Sequence, residues 1–173
     1  MPRIGLLSDS HGTTQITRQA VRILADQGAQ VLVHLGDVET TAVIDHLVVD
    51  GANTGGITCS HLVFGNVDWD LDALGHYAAN LDIQVEHPAG RIELPDERVL
   101  VFTHGDNAKL MQQALDQQVA YLCHGHTHRA RDKRIRSTRV INPGALSRAA
   151  QYSIALLDTD SDDLTFYPVG KAL

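Results

Sequence analysis

The sequence predicts an α/β protein in which a pair of mixed β-sheets carries helices on its outer faces. Three observations predict it. Over the first 65 residues, short apolar runs alternate with amphipathic stretches, the pattern of parallel strands joined by crossover helices. Beyond residue 90 the apolar runs follow one another closely, with turn residues between them, the pattern of antiparallel pairing. The chain has 173 residues, 43% hydrophobic and 20% charged, which suits a single globular domain spanning residues 1–173.

Residues 4–7 read as a short buried strand and residues 13–27 as a helix. In that helix Ile16, Ala20, Ile23 and Leu24 recur at helical spacing, and Gly28 serves as a C-terminal cap. Residues 31–35 form a second strand. Val43, Ile44, Leu47 and Val48 give a second helix its apolar stripe, which Asp50-Gly51 ends. Asn53-Thr54-Gly55-Gly56 is a turn, and residues 61–64 a third strand. Residues 70–80 predict a helix, and residues 91–94 and 99–103 a hairpin around Pro95-Asp96-Glu97-Arg98. Residues 107–118 predict a polar helix with Leu110, Met111, Ala114 and Leu115 on one face. Residues 120–123 predict another strand. Residues 133–141, 153–157 and 164–168 read as antiparallel strands, with a turn between the last two.

Charge narrows the function. Fourteen Lys+Arg stand against 21 Asp+Glu, for a net charge of −7. That balance argues against holding nucleic acid through its phosphates, and few aromatics are present to stack bases. One basic cluster (Arg129, Arg131, Lys133, Arg134, Arg136, Arg139) reads as a solvated hairpin face, or as a phosphate-steering rim if it lies beside an active site. No run approaches the ~20 apolar residues of a membrane span. The first ten residues hold no secretory leader and Cys59 and Cys123 are too few for a disulfide framework, so the expected compartment is the cytoplasm.

Ten histidines are the compositional oddity, and several fall in a pattern. Predicted strands are followed in turn by Asp9-Ser10-His11, Gly36-Asp37, Gly65-Asn66, His104-Gly105 and Gly125-His126-Thr127-His128. In open α/β sheets, ligand sites assemble at the C-terminal strand ends. Just past a strand, residues two apart can point the same way. Each motif alone is ordinary turn chemistry. Carboxylate with imidazole and no thiolate suits Mn, Fe, Zn or Ni better than Ca or Mg.

In order and placement these motifs resemble the calcineurin-like metallophosphoesterases, whose signature runs D-x-H, G-D, G-N-H-[DE], a later His, then G-H-x-H. Here it reads Asp9-Ser10-His11, Gly36-Asp37, Gly65-Asn66-Val67-Asp68, His104 and Gly125-His126-Thr127-His128, and Asn142-Pro143-Gly144 is similar to a further recurring segment. The small size resembles the compact bacterial and archaeal phosphodiesterase branch, whose fold the retromer subunit Vps29 shares. The resemblance implies a four-layer α/β/β/α sandwich, two mixed sheets flanked by helices. It also implies metal-dependent hydrolysis of a small phosphodiester by a two-metal centre with a bridging hydroxide. Asp9, His11 and His128 would hold one divalent ion; Asn66, His104 and His126 would hold the other; Asp37 would bridge. Manganese is the foremost expectation, with iron, zinc or nickel as alternatives. Asp37, Asn66, Asp68 and His104 are the expected catalytic set, with Asp68 behind Asn66 or an imidazole.

The chain departs from the family at Val67, where the motif usually carries a histidine that stabilises phosphoryl charge or protonates the leaving group. The remaining histidines read as structural: His34 in a strand, His46 on the polar side of a helix, His61 opening a strand, His76 and His87 in irregular stretches, and His124 behind the Gly-His-Thr-His motif. Two rival readings stand beside the enzyme, a Vps29-like interaction scaffold and a nuclease. The oligomeric state stays open between a monomer and a small homo-oligomer.

Overall fold

In the computed structural model, which describes residues 1–51 and 54–170, eleven strands form two sheets. Asn53 of the expected turn lies outside the described residues. Strands β1 (Arg3–Leu7), β2 (Val31–His34) and β3 (Cys59–Leu62) run parallel, with Ile4 opposite Val31 and Val31 opposite Cys59. A two-residue β4 (Gln84–Val85) extends this sheet on one side. The antiparallel pair β10 (Tyr152–Asp158) and β11 (Asp163–Val169) extends it on the other. The second sheet has the order β5-β6-β7-β9-β8. Its strands are β5 (Ala89–Glu93), β6 (Val99–Thr103), β7 (Tyr121–Cys123), β8 (Arg131–Ile135) and β9 (Thr138–Asn142). Here β6, β7 and β9 are parallel.

Alternation along the strands explains the layers. Ile4, Leu6, Val31 and Val33 face Leu100, Phe102, Tyr121 and Ile141 across the interior between the sheets. The other face of the first sheet, with Leu7, Leu32 and Leu62, packs on α1 (Thr14–Asp26), the short α2 (Thr41–Ile44) and α3 (Leu71–Ala79). Helix α4 (Ala108–Asp116) covers the outer face of the second sheet through Ala114 against Leu122 and Val140. The result is the four-layer sandwich. Phe102 is fully buried at its centre, and truncating such a side chain to Ala costs about 3–5 kcal/mol.

Several elements differ from the sequence reading. Helix α1 buries Thr17, Ala20, Val21 and Leu24, leaving Ile16 and Ile23 half-buried, so its inward face is rotated from the expected one. The second helix is one turn followed by a 3₁₀ turn, Asp45–Leu47, which contains His46. It stops there because the backbone N–H groups of Asp50 and Gly51 turn to donate to the Thr54 hydroxyl. The expected strand over residues 133–141 is the hairpin of β8 and β9, turning at Arg136, whose φ is 55°. His76 lies within α3, and its Nδ1–H donates to the Asp72 carbonyl. Asp70 caps that helix by accepting from the Ala73 N–H, and Asn107 caps α4 in the same way.

Candidate metal centre

The parallel strands of both sheets end at one edge of the sandwich, and the loops that follow them are tied together. Asp9 N–H donates to the Gly36 carbonyl (3.0 Å), and His11 N–H to the Asp37 carbonyl (2.9 Å). The loops after β1 and β2 therefore run side by side. Three loops share one backbone device. Asp9 and His11, Asp37 and Glu39, and His126 and His128 all have positive φ, between 43° and 67°. Left-handed backbone at such residues is uncommon and costs of order 1–3 kcal/mol each. Placed two residues apart, it turns both side chains of each pair inward.

Two glycines let backbone close on the carboxylates. A Cβ at Gly65 would lie 2.0 Å from Asp37 Oδ1, and one at Gly125 would lie 1.9 Å from Ser8 Oγ and 2.7 Å from Asp9 Oδ2. No side chain fits at either position.

The candidate residues meet in two groups. In the first, Asp9, His11, Asp37 and His128 offer ligand atoms that all lie within 4.8 Å of one another. His128 Nε2 is 3.1 Å from Asp9 Oδ1 and 3.4 Å from His11 Nε2, which is 3.6 Å from Asp37 Oδ2. In the second, His104 Nε2 is 3.1 Å from Asn66 Oδ1 and 3.4 Å from Asp37 Oδ2. His126 Nδ1 lies 3.0 Å from Asn66 Oδ1 and 3.3 Å from His104 Nε2. Asp37 is common to both groups. Asn66 and His126 are exposed, so the cluster faces solvent.

The outer partners orient the rings. His104 Nδ1–H donates to the Leu35 carbonyl (2.7 Å) and His11 Nδ1–H to Glu39 Oε1 (2.7 Å). Both Nε2 atoms then point inward with lone pairs when the rings are neutral. Imidazole lone pairs, carboxylate oxygens and an amide oxygen thus converge, a donor set that a cation would satisfy. Asp9 makes the same point. Its Oδ2 accepts from His126 N–H (3.1 Å), but buried Oδ1 meets His128 at an angle that makes no hydrogen bond and has no donor. The donor set of carboxylate, imidazole and amide oxygen fits divalent transition metals.

Without metal, a proton fills part of the gap. Burial works against the His104 imidazolium, but the hydrogen bond and charge of Asp37 outweigh it, and the pKa rises to about 9. Burial likewise pushes Asp37 up, yet His104 holds it below the ordinary carboxylate value. Burial drives His34 down to about 3. Its Nδ1 accepts from Gly36 N–H (3.2 Å), so Nε2–H donates to Ser10 Oγ (2.8 Å), and the residue braces the loops from behind.

Asp68 makes no hydrogen bond to Asn66 or to an imidazole; its partners are backbone N–H groups. Its carboxylate accepts from the backbone N–H groups of Asp37 (3.0 Å), Gly65 (2.8 Å) and Glu39 (2.7 Å), clamping the loops after β2 and β3 together. Asn142 does the same for the Gly-His-Thr-His loop, donating to the Gly125 carbonyl (2.8 Å) and to Thr127 Oγ1 (3.1 Å). Glu39 and Arg148, which pair with each other at 3.3 Å, escaped the sequence reading. The spacing of Glu39 two residues after Asp37, repeating that of Asp9 and His11, was the available signal.

Comparison with known proteins matches residues 2–162 to the model of the calcineurin-like phosphoesterase superfamily domain. Phosphodiesterase MJ0936 of Methanocaldococcus jannaschii is 24% identical over 165 residues, covering 93% of this chain and 95% of that protein. The solved structure of an archaeal phosphodiesterase superposes with a TM-score of 0.84 at 22% identity, over 96% of this chain and 99% of that one. The phosphoesterase YfcE of E. coli gives 0.68 at 22% identity, over 97% of this chain and 100% of that one. At these identities the structural likenesses carry the fold.

Proposed function

The chain belongs to the calcineurin-like phosphoesterase superfamily, and from that premise we propose that it hydrolyses phosphodiester bonds with two divalent transition-metal ions at the strand-end cluster. The observation that carries this reading is the sharing of Asp37 between two converging ligand groups, beside a buried Asp9 oxygen that has no donor. Asp9, His11 and His128 would hold one ion, Asn66, His104 and His126 the other, and Asp37 would be shared between them. Bound there, the ions would supply Lewis acidity, activating water and neutralising charge on the phosphoryl oxygens. Manganese is the first choice, with iron, zinc or nickel as alternatives. The kinship with a phosphodiesterase supports a diester substrate.

The chain's own residues set geometry and protons. Leu35 and Glu39 fix the inward tautomers of His104 and His11. Asp68 is a positioning residue, holding the Asp37 backbone still. Asn66 and His126, at the exposed rim, are the first groups an incoming substrate meets. Val67 is half-buried, and its N–H donates to Asp37 Oδ1 (3.1 Å), but its side chain carries no proton for a leaving group. Activated diesters should therefore be cleaved far faster than alkyl monoesters. Among the described residues no helix is long and apolar enough to cross a membrane; a single-domain cytoplasmic enzyme is our reading.

Calorimetric titration with Mn²⁺, Fe²⁺, Ni²⁺ and Zn²⁺, followed by assays on chromogenic diesters and alkyl monoesters, tests this. Two ions per chain and selective diester cleavage are expected. One ion per chain with no hydrolysis supports the scaffold reading instead. Val67→His should raise turnover on poor leaving groups selectively, within the about 10²–10⁴-fold range of general-acid help.

A further inference from the structure

At the lateral edge of the first sheet, β3 carries Cys59 and His61 two residues apart on one face. Both look toward the second sheet. Cys59 packs against the layer between the sheets, and His61 meets Phe102 edge-on, with ring centroids 5.6 Å apart and planes at 75°. Strand β4 pairs with β3 only at His61 and Leu62, so among the described residues no strand on that side covers Cys59, and the residue is half-buried.

Glu86 continues the β4 pairing by one residue, its N–H donating to the Leu62 carbonyl (2.9 Å). That anchor brings Glu86 Oε2 to 2.6 Å from His61 Nδ1. An ionised carboxylate only accepts, so Nδ1 carries the hydrogen, and in the neutral ring Nε2 keeps its lone pair. Nε2 faces Cys59 Sγ at 3.9 Å. A nucleophile, a base within reach of it and a third group orienting the base is the arrangement of nucleophilic catalysis. None of the three residues takes part in the metal cluster.

We propose that Cys59, His61 and Glu86 form a working triad that makes Cys59 a modification site for low-molecular-weight disulfides. Cys59 Sγ attacks one sulfur of the disulfide as its proton passes to His61 Nε2. A new S–S bond forms to Cys59, the disulfide's own S–S bond breaks, and one thiolate leaves. His61 returns the proton to that thiolate, so the disulfide is reduced to one free thiol while Cys59 is oxidised to a mixed disulfide. Burial raises the Cys59 thiol above its ordinary value, so it rests protonated and needs the base during attack. Cys123 is fully buried and serves as an internal control.

The test treats the folded, full-length chain with glutathione disulfide across a range of pH and follows each cysteine by peptide mass spectrometry. Cys59 is expected to be modified while Cys123 is not. His61→Gln should slow modification about tenfold or more near neutral pH and leave a rate that climbs only as the thiol itself ionises. Glu86→Gln, at a half-exposed position, should slow it by a smaller factor. Equal rates and pH profiles in wild type and His61→Gln overturn the proposal, as does an inert Cys59 or prior modification of Cys123. Should His61→Gln fail to fold, a Glu86→Gln profile identical to wild type overturns it as well.

Discussion

At the edge where the parallel strands end, Asp9 and Asp37 are buried among four imidazoles. Among the described residues neither carboxylate pairs with an arginine or lysine. At the opposite edge Asp132, Asp158 and Asp162 each pair with arginine. Arg139 spans Asp132 (2.8 Å) and Asp162 (3.0 Å), Arg134 also reaches Asp162, and Arg3 pairs with Asp158 (2.9 Å). Tyr121 joins the network, donating to Asp162 Oδ1 (2.9 Å) and accepting from Arg98 Nη1 (2.8 Å). One edge satisfies its charges within the chain. The other leaves acceptors converging, as expected where a site is organised for a group from outside. Stability and function are thus separated along the strand axis.

The sharpest way to break that contrast is to neutralise one carboxylate at each edge. Asp37→Asn should abolish metal-dependent diester hydrolysis and lower ion occupancy, measured by assay and metal analysis. Asp162→Asn should leave hydrolysis intact and lower the melting temperature. Retained hydrolysis in Asp37→Asn would remove the shared ligand from the mechanism. A smaller effect is expected one layer back. In Asp68→Asn an amide N–H₂ must replace either Oδ2, which accepts from Asp37 and Gly65, or Oδ1, which accepts from Glu39, so at least one backbone N–H loses its acceptor. Ion affinity should fall by about 10–100-fold, read by calorimetric titration, with the ligands themselves untouched.

In metal-free protein an alkaline loss is expected at the metal edge and an acid loss at both edges, because burial pushes Asp37 up yet His104 holds it below its ordinary value. The His104 value, about 9 in the fold, stands above its ordinary 6.5. Its contribution is complete below 6.5 and is lost as pH rises through about 9. Arg139 holds Asp132 below 3.8. Burial pushes Asp162 up, but Tyr121 and Arg139 hold it below 3.8 as well. Their contribution is present above 3.8 and is lost as pH falls through the depressed values. Thermal melts in chelator should show both losses, and His104→Asn should remove the alkaline one together with the share of the acid loss that its pairing with Asp37 contributes.

The two edges were unequally legible in the sequence. The metal edge announced itself because Asp9, His11, Asp37, Asn66, His104, His126 and His128 each follow an apolar run, and strand ends concentrate at one edge of a parallel sheet. What lies behind them was legible only in part: the motifs marked Asp68 and Asn142, but not that Asp68 acts on backbone N–H groups about 30 residues away or Asn142 on a loop of another strand. The opposite edge was nearly invisible. Arg134, Arg136 and Arg139 read as one basic cluster, whereas the β8–β9 hairpin turns Arg134 and Arg139 toward Asp162 and leaves Arg136 with Asp116. That turn has no Gly, Asn or Asp to mark it, since Arg136 itself takes the positive φ. Strand β4 was missed because two residues carry no period; its pairing is decided by β3.

The finest test of the contrast removes one oxygen. Tyr121 is 2% exposed, and its hydroxyl joins Asp162 to Arg98 across the two sheets. In Tyr121→Phe the ring keeps its place in the interior. Asp162 keeps Arg134 and Arg139, and Arg98 keeps Asp96 and the Thr159 carbonyl. No buried charge is stranded, so the loss should be that of ordinary hydrogen bonds, about 1 kcal/mol, or roughly 2–4 °C in melting temperature for a chain of this size. Ion affinity and diester turnover should not change, because nothing in the network reaches the loops after β1, β2 or β7. A Tyr121→Phe protein with weakened ion binding would mean that the edges are coupled through β7, whose far end carries His126 and His128.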